Sequence, residues 1–490
     1  MCSESHSGSL SMLFFPFPAQ GHILPTLDMA KHFAARGVKA TILTTPANAP
    51  LVQPFIARAN GSLAGGYPTM SLRLVPFPSD TGLPEGCENV SSIPSRDRAA
   101  LFFRFFDALA GLREQFDWVL RELLPDCVVT DLFFPWTYEA AAALGIPRLV
   151  FHGTSFFSLC LLGSVLRNDE EDAEAVVIPG LPHRIEMLRS QLPGSDMEEF
   201  LAPFRAAESK SYGVVVNSFY ELEPDYARHY REVVGRRAWH VGPVAPCNGD
   251  TNAGKSARGH EDAAGPRDDC LEWLDSKGAG SVLYVCFGSA GDFGTAQLRE
   301  LALGLEACGR PFVWVARSDE HWVPEGGSEE GRGLVIRGWA PQIPILNHPS
   351  VGGFLTHCGW NSVLEGVSAG LPLVTWPLFA DQFYNERLIV DVLKIGVSVG
   401  VKVYAMKPED RVVVDATTIR NAADEVMGSG AGAQERRRRA RELGEAARRA
   451  VEKGGSSYKD MSNLIEELTK KKKNAVQVQP QLQPLPLPPV

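Results

Sequence analysis

Apolar residues fall along this chain in short blocks set between polar turns, and two spacings alternate. Nearly continuous apolar blocks at 10–17, 38–44, 127–130, 149–151, 214–217 and 239–241 read as buried strands. Between them, 23–35, 102–118 and 133–144 carry apolar positions at helical spacing. The first helix has Arg36 in its last turn and Gly37 as its stop, and Gly145-Ile146-Pro147 closes the third. Segment 102–118 holds Phe102, Phe103, Phe105, Phe106 and Phe116, too many rings for one helix face, so some of them must line a cleft or meet another element. A second series follows. Strands are predicted at 281–287, 312–316, 351–355, 371–376 and 397–401, and helices at 295–307, 363–369, 385–393, 414–427, 434–453 and 456–470. Strand–helix alternation of this kind builds parallel sheets covered by helices on both faces.

The pattern lapses at 248–269, which is Gly, Ala, Asn, Asp and charge without apolar periodicity, and this predicts an interdomain linker. The chain therefore divides into a first domain over 1–247, the linker, a second domain over 270–469, and a Gln/Pro-ending tail over 470–490 expected to be disordered. Two motifs in these connections are decoys. Residues 249–256, GDTNAGKS, fit a phosphate-loop pattern letter by letter, but no strand precedes them and no helix follows. Residues 428–433, GSGAGA, match G-x-G-x-x-A yet lie between two helical patterns, so they read as a helix–helix connection. Arg436 to Arg439 form a basic run on a helix and read as a solvated face.

A length of 490 residues exceeds what one core usually holds, which agrees with two domains. Apolar residues at 44% and charged residues at 22% are ordinary for a soluble globular protein. A formal net charge of −10 argues against a nucleic-acid partner. The nine cysteines include no C-x-x-C pair and sit singly in apolar runs, as buried thiols in a reducing compartment do. No basic residue precedes Lys31, prolines interrupt the first apolar run, and 149–166 is too short and polar to span a bilayer. A cytoplasmic protein without a secretory signal or membrane span is expected.

The chemistry concentrates in 339–382, WAPQIPILNHPSVGGFLTHCGWNSVLEGVSAGLPLVTWPLFADQ. A strand runs into His357-Cys358-Gly359-Trp360-Asn361-Ser362, a helix follows and closes at Gly370, and a second strand comes after it. This is one β-α-β unit. Its helix N-terminus offers unpaired N–H groups and a positive dipole end to an anion. Asn361 and Glu365 lie four apart and share a face, an arrangement suited to a diphosphate and, one turn in, a ribose diol. In the first domain, His22 ends the turn Pro18-Ala19-Gln20-Gly21-His22 after the first strand, and Asp131 ends the strand at 127–130. Both are placed at the carboxyl edge of one sheet, where ligands of open α/β folds bind.

The 44-residue stretch Trp339 to Gln382 resembles, without a gap, the donor-binding box of plant family 1 UDP-sugar glycosyltransferases. Residues 15–25, FPFPAQGHILP, resemble that family's N-terminal motif, and 131–160 resemble a subgroup acting on flavonoids and on triterpenoid or steroid aglycones. The resemblance covers nearly the whole chain up to the tail. It implies the GT-B architecture, in which two doubly wound Rossmann-like α/β domains face each other across a cleft. It implies that Trp339 stacks on uracil, with Ala340 and Gln342 beside it as donor-binding candidates. His357, Asn361 and Ser362 would hold the diphosphate, Glu365 the ribose, and Trp360, Asp381 and Gln382 the sugar hydroxyls. Thr154 would approach the donor sugar, and Ser289, at the end of VLYVCFGS, would face the diphosphate. His22 would be the general base, oriented by Asp131. Gln382 accompanies glucose in the family; its amide is expected to donate to and accept from two neighbouring equatorial hydroxyls.

The expected reaction is an inverting transfer of glucose from UDP-glucose to a hydroxyl of an apolar secondary metabolite, by a monomer. No Asp-x-Asp motif occurs, and neither a metal nor another cofactor is expected. Two other classes remain open: a non-catalytic UDP-sugar-binding protein, which would lack the base, and a dinucleotide oxidoreductase, which would need a Gly-rich fingerprint after a strand. Another UDP-sugar, UDP-galactose for example, is the alternative donor.

Overall fold

The computed structural model describes residues 9–63, 70–93, 98–165, 174–245, 266–288, 291–316 and 332–478. Two parallel sheets organise it. The first contains β1 (Ser11–Phe15), β2 (Lys39–Thr44), β3 (Ser71–Leu74), β4 (Cys127–Asp131), β5 (Arg148–His152), β8 (Gly213–Val216) and β9 (Ala238–His240), in the order β3-β2-β1-β4-β5-β8-β9. Between β5 and β8 the chain forms an antiparallel hairpin of β6 (Ala175–Ile178) and β7 (Ile185–Leu188). The second sheet contains β10 (Val282–Cys286), β11 (Phe312–Ala316), β12 (Gly333–Arg337), β13 (Val351–Thr356), β14 (Leu373–Thr375) and β15 (Gly396–Ser398), in the order β12-β11-β10-β13-β14-β15. Strands β1, β4, β10 and β13 are buried almost throughout, because helices cover both faces; continuous apolar blocks without alternation are the consequence.

Each sheet reverses strand order at one point, and a crevice opens there at the carboxyl ends of the strands. In the first sheet the reversal lies between β1 and β4, with Phe15 level with Thr130. The residues just beyond, His22 and Asp131, therefore meet although 109 positions separate them. In the second sheet it lies between β10 and β13, with Cys286 level with Thr356. That brings Gly288 against His357.

Several elements depart from expectation. The aromatic segment is two helices, Arg98–Ala110 and Arg113–Leu123, broken around Gly111. A Cβ on Gly111 would stand 2.9 Å from Pro78, so the break lets the chain pass close to that ring. Helix Gln20–Ala34 starts three residues early and so takes His22 into its first turn. Segment 385–393 is helix Gln382–Arg387 followed by a π turn, Leu388–Val392. Helices Ala49–Ser62, Ser195–Lys210 and Pro224–Glu232, strands β3 and β12, and the β6–β7 hairpin were not signalled by periodicity. The connection at 428–433 is the expected one, with Gly428 closing helix Ala416–Met427 and Gly430 preceding helix Ala431–Val451. The phosphate-loop decoy and most of the linker lie outside the described residues.

The C-terminal helix carries the largest correction. It runs Ser456–Val478, beyond the end expected at Lys470, and it packs on the first domain. Met461, Leu464 and Leu468 join the core cluster on one face of the first sheet, and the helix packs beside β9. Asp460 bonds Arg231 and both the backbone N–H and Nδ1 of His240. Glu467 pairs with Arg237 and Tyr212, and Lys472 Nζ reaches Ser9 O and Asp126 Oδ2 at 2.9 Å each. The four lysines from Lys470 fall in the segment expected to be a disordered tail, but the acceptors that fix Lys472 are hundreds of residues away in sequence. Removing the chain beyond Asn474 is expected to leave melting temperature and turnover unchanged. Removing it from Ser456 deletes three buried side chains, each contributing about 1.5–3 kcal/mol of burial, and uncovers the core they pack on; a thermal melt reads the difference.

Candidate active site

His22 projects from the first turn of its helix, and its Nδ1 lies 2.7 Å from Asp131 Oδ2. The Asp131 side chain is 1% exposed and the His22 side chain 32% exposed. The other carboxylate oxygen, Oδ1, accepts from the Phe133 N–H at 3.2 Å and is thereby fixed. With Nδ1–H donating to the carboxylate, Nε2 carries the lone pair that accepts a proton. Burial works against the charged imidazole, but the charge and hydrogen bond of Asp131, with a further contribution from Asp381, outweigh it and raise the His22 pKa.

A cleft of about 350 Å³ opens between the domains. From the first domain Gln20, Gly21 and His22 line it; from the second, Trp339, Ala340, Gln342, His357, Trp360, Asn361, Ser362, Glu365 and Asp381 do. The residues expected to bind donor thus converge on one surface, with two qualifications. Ser289 lies outside the described residues. Thr154 and Gln382 reach the site through Asp381 and its loop instead of lining the cleft: Thr154 Oγ1 donates to Asp381 Oδ2 at 2.5 Å.

Helix Trp360–Ser368 begins at this cleft with Gly359 before it and no side-chain cap, so its first N–H groups remain available to an anion. The His357 ring is wedged in front of it. A Cβ on Gly288 would come within 2.6 Å of His357 Cε1, and one on Gly359 would overlap Nε2. Gly288 also needs a left-handed backbone, φ +66°. Burial pushes the His357 pKa down to about 4, so the ring is neutral at neutral pH, and among the described residues its buried Nδ1 meets no hydrogen-bond partner. Gln342 Nε2 donates to Glu365 Oε2 at 2.7 Å and to Ser362 Oγ at 3.3 Å, which joins the three candidates into one cluster.

Three of the expected donor-binding side chains are already hydrogen-bonded within the protein. The Trp360 indole N–H donates to Asn217 O at 2.7 Å, which leaves only the Trp360 backbone N–H for a sugar. Asn361 Nδ2 donates across the cleft to Gly21 O at 2.6 Å. Gln382 Oε1 accepts from the Leu378 and Phe379 N–H groups at 2.8 and 3.1 Å, so this amide has only its NH₂ to offer.

Beside His22 stands an aromatic wall. Phe17 and Phe133 lie 5.2 and 5.9 Å from the imidazole, centroid to centroid. Behind them Phe106 meets Phe17, Phe133, Phe200 and Phe204 at 5.0–6.1 Å, and Phe102 packs on Phe106 and Phe200. Phe105 is core and Phe103 is 58% exposed, so the rings do divide among faces as their number requires. Phe200 and Phe204 come from helix Ser195–Lys210, whose internal Pro203 blurred its pattern. Among the described residues no three His, Cys, Asp or Glu side chains gather as metal ligands would, and no helix is long and apolar enough to cross a membrane.

Two Rossmann-like domains, a helix N-terminus and carboxylate facing a His–Asp pair, and a cleft between them define a GT-B glycosyltransferase. Residues 246–427 match the family model described as "UDP-glucoronosyl and UDP-glucosyl transferase". The chain is 47% identical to a scopoletin glucosyltransferase of Nicotiana tabacum over 94% of its own length and 98% of that protein's. It is 46% identical to a UDP-glucose flavonoid 3-O-glucosyltransferase of Fragaria ananassa over 94% and 96%. Among solved structures, a Glycyrrhiza uralensis UGT complexed with glycyrrhetinic acid 3-O-monoglucuronide superposes with a TM-score of 0.88 at 40% identity, covering 96% of this chain and 98% of that one. A Medicago truncatula UGT complexed with UDP-glucose does so with 0.75 at 25% identity, over 96% and 100%. The chain belongs to the plant family 1 UDP-glycosyltransferases, and the two relatives above are named as glucosyltransferases.

Proposed function

We propose that this enzyme transfers glucose from UDP-glucose, with inversion, to a hydroxyl of an apolar, ring-bearing plant metabolite, and that His22 is its general base. The observation that carries this reading is the His22–Asp131 pair set between the donor cleft and the aromatic wall. An acceptor ring placed beside the half-buried Phe133, 5.9 Å from the imidazole, brings its hydroxyl towards Nε2. As Nε2 takes the proton, the oxygen attacks the anomeric carbon from the face opposite UDP. Negative charge gathers on the departing diphosphate, where the N–H groups of helix Trp360–Ser368, His357 and Ser362 stabilise it. His357, being neutral, acts by hydrogen bonding and not by charge. Phenolic names among the relatives and a triterpenoid-type ligand in one structural neighbour fit the same acceptor class. A panel of flavonoids, coumarins, triterpenoids and simple alcohols with UDP-glucose, read by mass spectrometry and by the anomeric configuration of the product, tests it. β-Glucosides of the ring-bearing acceptors are expected; retention, or transfer confined to small polar alcohols, overturns it.

With Gln382 offering only donors, glucose selection rests on a divided pair, Gln382 Nε2 donating and Asp381 accepting. An axial hydroxyl breaks that geometry. UDP-glucose is therefore the preferred donor, and equal or better rates with UDP-galactose or UDP-glucuronate would reject the assignment. Because the diphosphate charge is carried by N–H donors in this mechanism, excess chelator is expected to leave the rate unchanged. Loss of activity with chelator, restored by magnesium, would reject a metal-free transfer.

A further inference from the structure

Asn385, three residues beyond the donor box, is fully buried and makes three hydrogen bonds. Its Nδ2 donates to Cys358 O at 2.9 Å and to Asp381 Oδ2 at 3.1 Å. Its Oδ1 accepts from Ser158 Oγ at 2.9 Å, and Ser158 belongs to the other domain, on helix Phe156–Val165. Ser158 Oγ in turn accepts from Ser155 Oγ at 2.9 Å. Every donor in this series points the same way: Ser155 to Ser158, Ser158 to Asn385, Asn385 to Asp381. Each bond polarises the next, so the last one strengthens at the carboxylate.

The Asp381 carboxylate is thereby held from both sides of the interface. Its Oδ2 receives Asn385 from its own domain and Thr154 from the first. The network leaves Oδ1 as the oxygen for a sugar hydroxyl. Behind Thr154 and Ser155, the N–H groups of Phe156 and Phe157 are capped at 3.0 and 2.7 Å by the buried Glu223 carboxyl, which fixes the first-domain end of the relay. Burial raises the Asp381 pKa even with its two donors, so losing either weakens its hold on the charge that accepts the sugar.

We propose that Asn385 is a positioning residue for sugar recognition. In this role it fixes Asp381, and through Ser158 it couples that fixing to the closed arrangement of the two domains. The proposal rests on the reading of Asp381 as the sugar acceptor, and the test separates the two. Calorimetry gives the affinities of UDP and UDP-glucose for the wild type, Asn385→Ala, Ser158→Ala and Asp381→Ala. Asn385→Ala is expected to weaken UDP-glucose by on the order of tenfold or more, while UDP, which has no sugar, changes by less than about twofold. Ser158→Ala, which removes only the interdomain arm, is expected to show the same selective loss at smaller size, with KM for UDP-glucose rising accordingly. If Asn385→Ala loses UDP and UDP-glucose together, the residue merely holds the Cys358 loop and the proposal falls. It also falls if Asp381→Ala loses UDP-glucose while both other variants keep it. If Asp381→Ala itself binds UDP-glucose as the wild type does, the underlying assignment of Asp381 is wrong. Should Asn385→Ala fail to fold, Ser158→Ala decides by the same comparison.

Discussion

His22→Ala is expected to lower turnover on an aliphatic alcohol by on the order of 100- to 10,000-fold while UDP affinity stays near wild type. An alcohol is a poor nucleophile until its proton begins to leave, and in the proposed mechanism Nε2 of His22, at the donor cleft and beside Phe17, takes that proton. A phenol of low pKa should lose less, because it ionises with less help. The pH dependence has a definite sign. Only neutral His22 can accept the proton, and Asp131 holds its pKa above the ordinary 6.5, so activity should rise with pH along a limb displaced upward from that value. Asp131→Asn removes the charge that favours the imidazolium. The limb should then move to lower pH, while the rate falls by less than in His22→Ala, since Asp131 orients the base and takes no proton from substrate. A His22→Ala enzyme with near-wild-type turnover on an aliphatic alcohol, or one that loses UDP binding in step with activity, would overturn the assignment.

The features legible in the sequence were those in which local pattern and chemistry coincide. β1, β4, β10 and β13 are largely apolar blocks, so their ends were visible; Asp131 closes β4, His357 follows β13 directly, and His22 lies in the turn-to-helix after β1. The helix N-terminus at Trp360 was legible from the Gly359 before it and the Gly370 stop after it, which has φ +75°. What stayed hidden was set by contacts between distant segments. Trp360 reads as a sugar ligand in its own box, and only the approach of Asn217 shows its indole N–H already engaged. Gln382 reads as a two-way hydrogen bonder until the 378–379 backbone turns onto its oxygen. Asn385 and Ser158 carry no signal of one another in the sequence, 227 residues apart; they are buried and bonded to each other across the interface. The last helix reads as part of the second domain by adjacency, yet its apolar face covers the first sheet.

His357→Ala is expected to weaken UDP binding by roughly 10- to 100-fold, the scale of a hydrogen bond to a charged group, and so to complement His22→Ala, which leaves UDP bound. The imidazole is placed by exclusion: Gly288 and Gly359 leave a slot only as thick as the ring. Its buried Nδ1 has no partner among the described residues, and a buried polar atom in that state beside an open helix N-terminus is what a ligand oxygen would satisfy. Gly359→Ala supplies an independent arm. Its backbone, φ −60° and ψ 135°, accepts alanine without strain, so the added methyl acts only by pushing on the ring. It should reproduce much of the His357→Ala loss with the histidine still present. Because burial holds the His357 pKa down to about 4, the ring is neutral across the working range, and UDP affinity should not decline between about pH 6 and 8 through this residue. A charged imidazole of ordinary pKa would instead give an affinity that falls as pH rises through 6.5 and a decline absent from His357→Ala. Calorimetry of UDP against the three proteins at both pH values separates the two, and unchanged UDP affinity in His357→Ala would remove the residue from the diphosphate site.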